Sequence, residues 1–157
     1  KGRQILDGFR GKPASDQEAL MTAMTNLESL SDIMETEMVG VAKTYLDREF
    51  AAGSQETQDM VEGLWQGVRK ALELSVQAVG RSDQRAAQEV ILMKDEIRAL
   101  ADGLFARHAE RLRADDPDYL DRVRLLMTFI EQLRHMYTLI KRIARTHLPA
   151  EVRRAGG

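Results

Sequence analysis

Apolar residues recur every three or four positions through most of this chain, the spacing of helices that carry one apolar face. Leu20, Met24, Leu27, Met34, Met38, Val41 and Tyr45 mark a first helical face, with one gap of seven residues, that stops near Ala51-Ala52-Gly53. Glu18 three residues after Ser15 is a capping-box spacing for its start. A second helix is predicted over about 55–79, carried by Met60, Leu64, Val68, Ala71 and Val79 and widened by Val61, Trp65, Leu72 and Val76. Gly80 closes it, and Ser82 or Asp83 caps the next. A third helix over about 83–112 has Ala86, Val90, Met93, Ile97, Leu100 and Leu104 in heptad spacing. Asp116 is an N-cap and Pro117 the first residue of a fourth helix. That helix runs through Leu120, Val123, Met127, Ile130, Leu133, Tyr137, Ile140 and Ala144 and is ended by Pro149 and Gly156-Gly157.

Four long amphipathic helices with short connections predict an all-α antiparallel bundle. Helices of this length would reach about 45–50 Å. Residues 16–149 form the bundle, 1–15 read as a leader that ends a truncated upstream element, and 150–157 as a C-terminal tail. Composition narrows the picture further. Prolines stand only at 13, 117 and 149, which suits long helices. Lys and Arg total 23 against 25 Asp and Glu, so the net charge of −2 argues against a nucleic-acid partner bound through phosphates. There is no cysteine, which removes disulfides, thiol nucleophiles and Cys-ligated zinc. No apolar run approaches the roughly 20 residues of a membrane span, so these residues read as a soluble domain.

Charge is unevenly distributed. Between Lys12 and Lys43 there is no Lys or Arg, while Asp16, Glu18, Glu28, Asp32, Glu35 and Glu37 fall in that stretch. Projected at about 100° per residue, Glu28, Asp32 and Glu35 share a stripe beside the apolar face. Such a stripe is either a solvated acidic face or, with waters and a second helix, a seat for a divalent metal or iron. Residues 134–154 are the reverse, with Arg134, Lys141, Arg142, Arg145, Arg153 and Arg154 against Glu151 alone. Dipole compensation accounts for part of this, and the rest could meet the acidic helix, an anionic membrane surface or a phosphate-bearing ligand. His108 reads as a boundary residue and His147 as a dipole partner; His135 could share a metal with Glu131 or simply hydrogen-bond. Met24, Met34, Met93 and Met127 read as core filler. No Ser, His and Asp arrangement and no Gly-rich loop points to an enzyme.

The segment Asn26-Leu27-Glu28-Ser29-Leu30-Ser31-Asp32-Ile33-Met34-Glu35-Thr36 resembles the "LERIGD"-type signature of PhoU-like domains, in the variant found in bacterial sodium/phosphate cotransporters. Ala71-Leu72-Glu73-Leu74-Ser75-Val76-Gln77-Ala78 and Lys94-Asp95-Glu96-Ile97-Arg98-Ala99-Leu100 look like the hairpin that follows, and 129–148 like the closing helix. The resemblance implies a regulatory domain on the cytoplasmic face of the bacterial inner membrane, whose partner is the membrane portion of its own transporter. A second copy of the chain is the other partner to consider. It also implies two three-helix repeats, of which the first helix here ends one and the remaining three make up the next. By that likeness Glu28 and Asp32, with Glu35 one turn on, are metal ligands. Aligning Leu27 with Leu133 sets Arg134 opposite Glu28 and Thr138 opposite Asp32, which abolishes a second metal cluster; another register pairs Glu131 and His135 with them. Arg134, Lys141 and Arg145 are then candidates for an anion or partner contact.

Overall fold

The computed structural model describes residues 14–47, 54–109 and 117–149. The leader up to residue 13, the stop at Ala51-Ala52-Gly53, the end of the third helix at 110–112, the Asp116 cap and the tail from 150 lie outside them. A first rod consists of α1 (Ala14–Asp32), a π-helical segment (Ile33–Met38) and α2 (Val39–Asp47). Then come α3 (Gln55–Arg81), α4 (Gln84–Leu92), α5 (Lys94–Ala109) and α6 (Pro117–Arg145). No strand occurs among the described residues, and the all-α bundle is as the periodicity predicts. No helix among them is long and apolar enough to cross a membrane.

The ends of these helices are set by local chemistry. Ser54 caps α3, its hydroxyl accepting from the Thr57 N–H at 3.3 Å. The helix runs through Gly80, and Ser82 takes the left-handed turn at φ 53° that glycine ordinarily provides. Asp83 caps α4 by accepting from the N–H groups of Arg85 and Ala86 at 2.9 and 3.1 Å. Those bonds, with Ala86 the stronger influence and the Gln77 amide next, hold its carboxyl below the usual carboxylate range. Ser15, by contrast, lies inside α1 and not ahead of it.

The continuous third helix expected over 83–112 is interrupted at Met93, whose N–H is shared between Glu89 and Ile91 carbonyls. The Val90 carbonyl accepts instead from the hydroxyl of Tyr137 at 2.7 Å. After Arg145 the chain tightens into successive i→i−3 bonds from Thr146, His147 and Leu148, which seats Leu148 in the core just before Pro149.

α6 is the hub. It packs against α3, α4 and α5 and also against the first rod, whose principal contacts beyond itself are all with α6. Ile130, Leu133, Met136, Tyr137, Leu139, Ile140, Ile143 and Ala144 are accordingly buried, a spread of roughly half the helix circumference. Thr44 in α2 shares a shallow recess with Asp121, Arg124 and Leu125 near the start of α6, so the first rod runs antiparallel to it. At the far end of the three-helix unit Arg107 of α5 pairs with Glu56 at 2.5 Å and donates to Thr57 at 3.2 Å, which clasps the start of α3.

α3 buries Leu64, Val68 and Ala71 as predicted, but Ser75 and Ala78 follow while Val76 and Val79 stay exposed. His108 is buried, deeper than a boundary position. Close packing of α3 on α5 is registered at Gly67, where an added Cβ would lie 2.7 Å from Cδ1 of the buried Ile97. Gly63 and Gly80 face open space. We therefore expect Gly63→Ala and Gly80→Ala to stabilise the domain by up to about 1 kcal/mol through helix propensity. Gly67→Ala should cancel that gain or lose about 1–3 kcal/mol to overpacking. Chemical denaturation of the three variants tests this; equal gains at all three sites would contradict the tight approach.

Candidate functional site

The first rod carries the acidic candidates and departs furthest from the predicted pattern. Ala23, Asn26, Leu30 and Ile33 are its buried residues. Asn26 is tolerated there because its amide donates to the Thr22 carbonyl at 2.6 Å. The next inward residue after Ile33 is the partly buried Met38, five positions on, and the π-helical segment spans that interval. A turn closed by i→i+5 bonding absorbs one extra residue. Met24, Leu27 and Met34, expected in the core, are instead exposed along with Met21 and Val39, at 40–62% of their full surface. The periodicity therefore traced a second apolar face, one turned away from α6.

Glu28, Asp32 and Glu35 are exposed beside that face. Asp32 ends α1 and Glu35 falls in the π-helical turn, where it accepts from the Ser31 hydroxyl at 3.2 Å. Glu28 and Asp32 thus stand one α-helical turn apart and Glu35 lies beyond them in the π-helical turn, and no cluster of three or more His, Cys, Asp or Glu with the makings of a metal site is found among the described residues. Glu131 and His135 are likewise exposed, and Glu131 lies 3.6 Å from Arg134.

The three basic candidates separate into two environments. Arg134 is engaged within the bundle: Nη1 lies 3.6 Å from both Asp102 and Glu131, and the guanidinium stands 5.8 Å over the Phe105 ring. Lys141 is half-buried instead, its ammonium 5.8 Å from the centroid of the Tyr137 ring one turn earlier on α6. Burial depresses the Lys141 pKa first, and repulsion from Arg145, Lys94 and Arg142 depresses it further.

The helical unit from α3 to α6 coincides with the segment that a family model matches: the PhoU domain covers residues 61–146, just over half of the chain. This chain belongs to the PhoU domain family. No curated protein and no solved structure gives a significant match. The matched PhoU domain starts within α3 and ends just past α6, so the first rod lies outside it. Membership points to a regulatory helical domain in phosphate-related processes.

Proposed function

We propose that this PhoU domain regulates a sodium-dependent phosphate transporter from the cytoplasmic face of the bacterial inner membrane. It does so by laying the outer face of its first rod against the membrane portion of the same protein. The observation that carries the reading is the exposed row of Met21, Met24, Leu27, Met34 and Val39. Contiguous apolar surface of this kind marks an interaction site, and methionine adapts its shape to a partner. The flanking Glu28, Asp32 and Glu35, with no Lys or Arg from 13 to 42, suit a partner rich in basic residues. The cytoplasmic ends of membrane spans have that character. Two acidic faces would repel, which disfavours pairing of two copies through this surface. Metal capture by Glu28, Asp32 and Glu35 is the weaker reading, since no cluster of three or more metal-ligating side chains is found among the described residues.

Regulation requires that docking differ between two states of the transporter. In the complete transporter, Met24→Glu combined with Leu27→Glu should leave sodium-dependent uptake intact while abolishing its response to external phosphate. An unchanged response, with the variant shown to fold by circular dichroism, would defeat the docking reading. Glu28→Gln with Asp32→Asn should weaken the response without any dependence on added divalent metal; dependence on metal would favour ion capture instead.

A further inference from the structure

The π-helical turn shifts two faces of the first rod at once. On the inner face Ala23, Asn26, Leu30 and Ile33 follow one another at steps of three or four, and the next step, to Met38, is five. On the outer face Met34 and Val39 are also five apart, at 40% and 58% of their full surface. Both steps run across Ile33–Met38, which Val39 ends. In a turn closed by i→i+5 bonding, residues five apart stand one above the other. Met38 therefore continues the inner face, packed against the core that holds Leu30 and Ile33, and Val39 continues the outer row.

A regular α-helix would count this stretch differently. Residues four apart would stack, so Glu37 would follow Ile33 inward and Met38 would follow Met34 outward. Glu37 would then take the place of Met38 against an apolar core, an environment that penalises a carboxylate without a partner. In the π register Glu37 is exposed. Val39 would meanwhile swing by about 100° out of the outer row. π-helical turns are rare, and neither proline nor glycine in Ile33–Met38 forces one here. The side chains therefore select the register, and Glu37 is the one that the α count would bury. We infer that Ile33–Met38 is a two-register switch, in which Glu37 holds the π form and the π form presents an unbroken docking row. A partner seated on Met34 and Val39 stabilises that form, because only the π count stacks them. The register stands on this chain's own residues, while its link to docking rests on the transporter reading above.

The register is read on the intact chain by NMR, from hydrogen-bond scalar couplings that pair each amide with its carbonyl acceptor. In the parent chain the amides that close Ile33–Met38 should couple to carbonyls five residues back. Glu37→Leu should move those acceptors to four residues back, with the leucine taking the place beside Ile33. Glu35→Leu should keep the five-residue pattern, because position 35 is exposed and lies off the inner face in either register. A parent already bonded four residues back, or a Glu37→Leu chain still bonded five back, overturns the switch. In the complete transporter, Glu37→Leu should abolish the response to external phosphate while sodium-dependent uptake persists. If Met24→Glu with Leu27→Glu abolishes that response and Glu37→Leu, bonded four residues back, leaves it, the switch is overturned and the docking reading stands. If neither alters the response, the docking reading fails, and the role assigned to the π form fails with it whatever the couplings show.

Discussion

Leu133→Ala is expected to lower the unfolding free energy by about 2–5 kcal/mol, whereas Leu27→Ala should change it by no more than about 0.5 kcal/mol. The two leucines are equivalent when the first helix is aligned on the last, yet Leu133 is fully buried and Leu27 is 45% exposed. Truncation at 133 leaves a void in the face of α6 that α3, α4 and α5 surround, and close-packed neighbours recover little of it. Truncation at 27 removes surface already in water. Urea denaturation followed by circular dichroism measures both changes. Comparable losses would mean that Leu27 is covered in the isolated chain, and the docking surface would have to be sought elsewhere.

Tyr137→Phe should cost about 1–3 kcal/mol, because the buried Val90 carbonyl then loses its donor with no water to replace it. The same substitution should alter the alkaline limb of stability. Burial raises the Tyr137 pKa from 10.0 to about 12, outweighing the pull of Arg145, and Asp95 adds to the rise. The folded chain therefore favours the neutral phenol. Its contribution is complete below the unfolded value of 10.0 and is lost as pH climbs toward about 12. Phenolate absorbance and helicity recorded together over that window should show the parent unfolding as this tyrosine ionises. The Phe variant, less stable at neutral pH, should lose less over the same window; an identical alkaline loss in both chains would assign the transition to another group.

The three-helix unit was legible because its apolar spacing coincides with what is covered. Leu64, Val68, Ile97, Leu104, Leu133 and Ile140 all fall on expected faces and all are buried. The first rod was misread for two physical reasons. Periodicity reports where apolar side chains lie, not which side meets a neighbour, and here Ala23 and Asn26 make the contact while Met24 and Leu27 do not. The step from Ile33 to Met38 also breaks the 3.6-residue count, so a fixed projection drifts out of phase beyond it. The anion candidates were half legible. Arg134, Lys141 and Arg145 share a stripe on one helix, but only the tertiary arrangement commits Arg134 to Asp102 of α5. The Met93 interruption carries no proline or glycine, and nothing local in the sequence marks it.

The π-helical turn also gives the first rod a property that a uniform helix lacks. A residue added to an ordinary helix swings everything beyond it by about 100°, and one of the two ends would then lose its hold on α6. Here the surplus residue is swallowed within Ile33–Met38, and the residues on either side still meet the same neighbour. The turn works as a slack link, and a chain shortened by one residue inside it could revert to regular helix with both ends still in step. Changes of length in this rod are therefore cheapest immediately after Asp32, beside the acidic residues and the outer apolar row, where a partner's fit could be adjusted without disturbing the bundle behind it.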